Sequence, residues 1–151
     1  MVHRLVFGIV IILLGSCMAH RKATTLPVDK ILIAVFEASN VSKTTIDVKL
    51  TDYHWADGQL HEAQRHAIPK TNAWTFKFLD EKKHLITSAF VVNPLSHDVE
   101  YSTDNNRLER QVISLDKSSF IVRAQVPTNT KFISVFDAQH VSLGTFNLSF
   151  P

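Results

Sequence analysis

From residue 30 onward the apolar positions fall in short runs, most of them alternating with polar residues and separated by turn-forming ones. That period of two is the signature of strands with one face in water. Residues 46–50 alternate cleanly, with Ile46, Val48 and Leu50 on one side and Asp47 and Lys49 on the other. Residues 74–78 place three aromatics inward, Trp74, Phe76 and Phe78, and turn Thr75 and Lys77 outward. Phe120, Val122, Ala124 and Val126 alternate with Ile121, Arg123 and Gln125 until Pro127, which lacks a ladder donor. Residues 31–38 are apolar on both faces, as a central strand requires, and 85–92 form a further apolar run stopped by Asn93-Pro94.

The remaining segments continue the pattern. Val99 and Tyr101 share one face of a strand ahead of the polar turn 103–106, and 110–115 can pair with it. Segments 131–136 and 145–150 complete the set, the last with Phe146, Leu148 and Phe150 on one side. Only 59–66 suggests a helical period. Eight or nine strands at spacings of roughly 10 to 15 residues predict an all-β antiparallel β-sandwich of immunoglobulin-like or fibronectin-like type over residues 30–151. The inter-sheet disulfide of antibody domains is excluded, because the 151 residues contain a single cysteine.

That cysteine sits at the end of a different pattern. Met1 to Arg4 is a short basic start, residues 5–14 are an apolar run, and the small residues Gly15 and Ser16 follow. This is the order of regions in a secretory signal. Ten helical residues span roughly 15 Å, half of the bilayer's hydrocarbon core of about 30 Å, so a permanent transmembrane helix is not expected.

Leu14-Gly15-Ser16-Cys17 resembles the lipobox of bacterial lipoproteins. The resemblance implies that the Cys17 thiol receives a diacylglyceryl group, that signal peptidase II cuts before it, and that the new amino group is acylated. Several acyl chains, at about 0.8 kcal/mol per buried CH₂, anchor a protein stably where one myristoyl does not. The expected organisation is then a lipoprotein signal peptide over 1–16, a lipidated tether over 17–29 and the sandwich over 30–151. Met18 follows the cysteine where an inner-membrane lipoprotein of enteric-type bacteria carries aspartate. By the same resemblance, the protein is expected in the outer membrane facing the periplasm if the host is Gram-negative. The other reading of Cys17 is an apolar residue discarded with an ordinary signal cut after Ala19 or Ala23. Residues 107–137 are also loosely similar to the closing strands of sandwich modules attached to bacterial envelope enzymes.

Composition adds exclusions. Sixteen Lys and Arg against fourteen Asp and Glu leave a net charge of +2, with no basic stripe of the kind that binds nucleic acid. Only Gly58 and Gly144 lie beyond the signal, too few for a glycine-rich phosphate loop, and no G-x-S-x-G elbow is present. His61-Glu62-Ala63-Gln64-Arg65-His66 carries one residue too many for the zincin motif. At i and i+5 the two imidazoles diverge by about 140° on a helix and face opposite sides on a strand. No metal, cofactor or catalytic residue is therefore assigned, and an enzyme is not expected. The alternative is a secreted or envelope hydrolase or metal-binding protein, using His54 joined by His66 or His61 with Asp52 or Asp57, or the carboxylates Asp98, Glu100, Asp104 and Glu109.

The most suggestive surface is Tyr53-His54-Trp55, just before Asp57-Gly58. With a hairpin tip at Asp57-Gly58, Tyr53 and Trp55 stand on one face beside it and can stack on a sugar, a peptide or a lipid headgroup. Otherwise Trp55 folds back to close one end of the core. The expected function is a lipid-anchored envelope protein, held to the membrane through Cys17, whose non-catalytic sandwich meets an envelope protein or peptidoglycan. The triplets Asn40-Val41-Ser42 and Asn147-Leu148-Ser149 match glycosylation sequons, which a bacterial lipoprotein leaves bare.

Overall fold

A computed structural model of the protein describes residues 29–42, 44–62, 71–102, 105 and 107–149. Among these residues are nine strands: β1 (Asp29–Ser42), β2 (Thr45–Ala56), β3 (Ala73–Leu79), β4 (Leu85–Val92), β5 (Ser96–Ser102), β6 (Leu108–Ser114), β7 (Lys117–Pro127), β8 (Phe132–Phe136) and β9 (Ser142–Asn147). The described residues form an all-β fold, and every strand pairing among them is antiparallel. The signal, residues 17–28 of the tether and residues 63–66 of the suggested helix at 59–66 lie outside the described residues.

Strand β1 runs down the middle of a three-stranded sheet ordered β2-β1-β7, and β3 and β8 form the middle of a four-stranded sheet ordered β4-β3-β8-β9. The central position of β1 explains why its sequence is apolar on both faces. Leu32, Ala34, Phe36 and Ala38 are fully buried against the other sheet, while Ile33 and Val35 are half-buried on the back. Trp74, Phe76 and Phe78 of β3 are each at most 1% exposed, as their alternation requires, and Ile133 and Val135 of β8 join them. Val122, Ala124 and Val126 complete the first sheet's inner face. The two inner faces share one core, a sandwich-like packing of antiparallel sheets.

Aromatic rings concentrate at the centre of that core. The Phe36 ring lies 5.2 Å from Phe76, 5.8 Å from Phe120 and 5.4 Å from Phe146, so both sheets meet on it. At the margins β2 lies against β9 and β4 against β7. Leu148 is buried and Phe146 half-buried, so the C-terminal segment packs inward as its alternation predicts; Phe150 is outside the described residues.

Strands β5 and β6 belong to neither sheet. They form a two-stranded ribbon inserted between β4 and β7, every residue of β6 being exposed. Its base is fastened where β1 ends: Leu115 N–H donates to Leu95 C=O at 2.9 Å, Asn40 N–H to Asp116 C=O at 2.9 Å, and Asn40 Nδ2 to Leu115 C=O at 2.8 Å. Leu95 itself is buried. The start of β1 pairs instead with Pro127 of β7, and Ile31 with Ala56 of β2. The ribbon therefore leaves one end of the fold and the N-terminal segment joins the other, roughly 36 Å apart along β1 at about 3.3 Å per residue.

Candidate binding surfaces

Asp57-Gly58 is a turn, as expected, but not a hairpin tip. Strand β2 ends at Ala56, and β3, the next strand among the described residues, belongs to the other sheet, so the two do not form a hairpin. Gly58 takes φ = 133°, a region L side chains avoid, which is why glycine occupies it. Residues 58–60 are held to β7 by one side chain. Gln125 Oε1 accepts from Leu60 N–H at 2.9 Å, and Gln125 Nε2 donates to Gly58 C=O at 3.3 Å. Lys30 Nζ reaches Asp57 at 3.0 Å from the start of β1.

Tyr53, His54 and Trp55 precede that turn on β2, opposite Ala34, Ile33 and Leu32 of β1. Alternation sends the Tyr53 and Trp55 rings toward the core, where both are half-buried against it, and leaves His54 exposed. Trp55 thus closes the end of the core rather than standing beside a hairpin tip. A cleft of about 400 Å³ is nevertheless lined by Tyr53, His54, Trp55 and Ser149.

The Tyr53 hydroxyl is already engaged at the margin where β2 meets β9. It accepts from Ser149 N–H at 2.9 Å, donates to Ser149 C=O at 3.0 Å and lies 3.1 Å from Ser149 Oγ. The Ser149 side chain, and then its backbone, hold the Tyr53 pKa below the ordinary tyrosine value, with partial burial opposing. Sequence reasoning found the tyrosine and missed Ser149 and Gln125. Each acts across more than 60 residues of chain, and no local pattern announces such a partner.

Two acidic residues of the ribbon, Asp98 and Glu109, have side-chain partners. Arg110 binds Asp98 through Nη2, and this contact, reinforced by Glu100, raises the arginine's pKa. Tyr101 donates to Glu109 Oε2 at 3.1 Å. Asp104 lies outside the described residues, as does His66. Among the described residues no three His, Cys, Asp or Glu side chains come together as metal ligands, so His54 and His61 join no such group. Among the same residues no helix is long and apolar enough to cross a membrane.

No protein family, curated protein or solved structure matches this chain.

Proposed function

We propose that the protein is a lipid-anchored component of a bacterial cell envelope. Cys17 is the acylated first residue of the mature chain, residues 17–29 are a tether, and the folded part is a non-catalytic binding or structural module. In a Gram-negative host it sits in the outer membrane facing the periplasm, and its partner is an envelope protein or peptidoglycan meeting the cleft at Tyr53, His54 and Trp55. The observation that carries this reading is Leu14-Gly15-Ser16-Cys17 placed directly behind the apolar run 5–14.

The immunoglobulin-like type is part of the same proposal. In its favour, the order β4-β3-β8-β9 reproduces a sheet in which two hairpins meet along their inner strands. The first hairpin departs from that type, since its first strand rather than its second is central.

Metabolic labelling with a clickable palmitate in a bacterial host, comparing wild type with Cys17→Ala, tests the anchor. Label and membrane sedimentation should both be lost in the variant. A variant that stays labelled and membrane-bound would refute it.

A further inference from the structure

Among the aspartates and asparagines of the chain, Asp57 alone is followed by a glycine. The turn that holds the pair is open on every side that matters to its chemistry. The Asp57 side chain is 90% exposed, with Lys30 Nζ at 3.0 Å. Among the described residues nothing accepts a hydrogen bond from the Gly58 N–H. No Cβ crowds that nitrogen, and where one would stand the nearest atom beyond the chain neighbours is Ile31 Cδ1 at 3.5 Å. Other aspartates are held more firmly. Asp29, Asp47, Asp52 and Asp98 lie in paired strands. Asp80 accepts the His84 backbone N–H, and Asp137 Oδ1 accepts those of Gln139 and Val141.

We propose that Asp57-Gly58 is a modification site, at which the folded protein converts aspartate spontaneously to isoaspartate. The Gly58 nitrogen forms a bond to Asp57 Cγ. Its proton, one carboxylate oxygen and a proton from solvent leave as water, and a five-membered succinimide remains. Water then adds to one of the two ring carbonyls. Breaking the new N–Cγ bond restores aspartate, whereas breaking the original peptide C–N bond leaves a main chain that runs through Cβ and Cγ. Mass is unchanged, and no oxidant, reductant or co-reactant other than water takes part. The isoaspartate lengthens the main chain by one carbon between two fastenings. One is the Lys30 ion pair. The other is Gln125, which holds Gly58 C=O at 3.3 Å and Leu60 N–H at 2.9 Å. The inserted carbon displaces Gly58 from that bridge and loosens the anchorage of Leu60, which is buried.

This inference depends neither on the lipid anchor nor on a partner at the cleft. The full chain in detergent is aged for several weeks at neutral pH and physiological temperature, then digested with trypsin. Isoaspartate in the peptide 50–65 is located by electron-transfer fragmentation and by methyl-ester uptake from an isoaspartyl methyltransferase. The same peptide carries Asp52, which lies in β2 ahead of a tyrosine and serves as the internal reference. Isoaspartate at 57 should exceed that at 52 by roughly tenfold, because glycine leaves the nitrogen unhindered. Asp57→Glu should abolish the signal, since a six-membered ring would be needed. In the folded chain the reaction at 57 should run within about threefold of its rate in the free peptide 50–65, as an open turn allows. Hydrogen exchange at the Leu60 amide should quicken in the aged protein. No isoaspartate at 57, equal amounts at 52 and 57, or a folded rate more than about tenfold below that of the free peptide would each overturn the proposal.

Discussion

Tyr53→Phe removes one oxygen and leaves the ring packed against the core, so it isolates what the hydroxyl does at the margin between the sheets. That oxygen makes three contacts with Ser149, at 2.9, 3.0 and 3.1 Å. A net protein hydrogen bond contributes about 0.5–1.5 kcal/mol, and water can reach the exposed Ser149 groups once the hydroxyl is gone, so the loss should total about 1–2 kcal/mol rather than the full cost of stranded polar groups. At about 4 °C per kcal/mol for a domain of this size, Tm should fall by roughly 4–8 °C. Ser149→Ala, which removes only the Oγ contact, should cost about 0.5 kcal/mol. Thermal unfolding measures both, and hydrogen exchange at the Ser149 amide should quicken in Tyr53→Phe. An unchanged Tm with unchanged exchange would refute the view that Tyr53 fastens β9 to β2.

Two further perturbations test the core and the β3–β4 loop. Phe36→Ala empties the point where Phe76, Phe120 and Phe146 converge at 5.2–5.8 Å and should cost about 3–5 kcal/mol by denaturant unfolding; a loss under about 1 kcal/mol would mean the two sheets do not share that ring cluster. Asp80 accepts the His84 backbone N–H at 2.8 Å, which is the largest cause holding its carboxyl below the usual carboxylate range. Because the folded-state pKa is the lower one, the stabilisation is fully present above pH ~4 and is lost as pH falls through the depressed value. Asp80→Asn should flatten that part of the acid-unfolding curve; an unaltered curve below pH ~4 would remove the carboxylate from the account.

What could be read beforehand follows from where the information sits. The inward faces of β1, β3 and β7 were legible because a strand with one or two buried faces writes its burial into alternate residues, as at Leu32 to Ala38 and Trp74 to Phe78. The pairing of 99–101 with 110–115 was legible from two short alternating runs around a polar turn. That the ribbon stands outside both sheets was not, because Val99, Tyr101 and Val112 have the same spacing as core residues, and exposure depends on which strands lie across from them. That β2 and β3 do not pair across Asp57-Gly58 was missed for a related reason: a turn-forming pair specifies a change of direction, while the sheet the chain enters next depends on strands far along the chain. Trp55 as a lid on the core was one of the two arrangements its position allowed, and the half-burial of its ring against that core distinguishes them.

The claim on which the functional account rests is that Cys17 becomes a lipidated N-terminus. Intact-mass and peptide mass spectrometry of the protein extracted from bacterial membranes addresses it directly. The account predicts a chain beginning at Cys17, heavier than residues 17–151 alone by a diacylglyceryl group and an amide-linked acyl chain. A chain beginning at His20 or Thr24 with no lipid mass would contradict it.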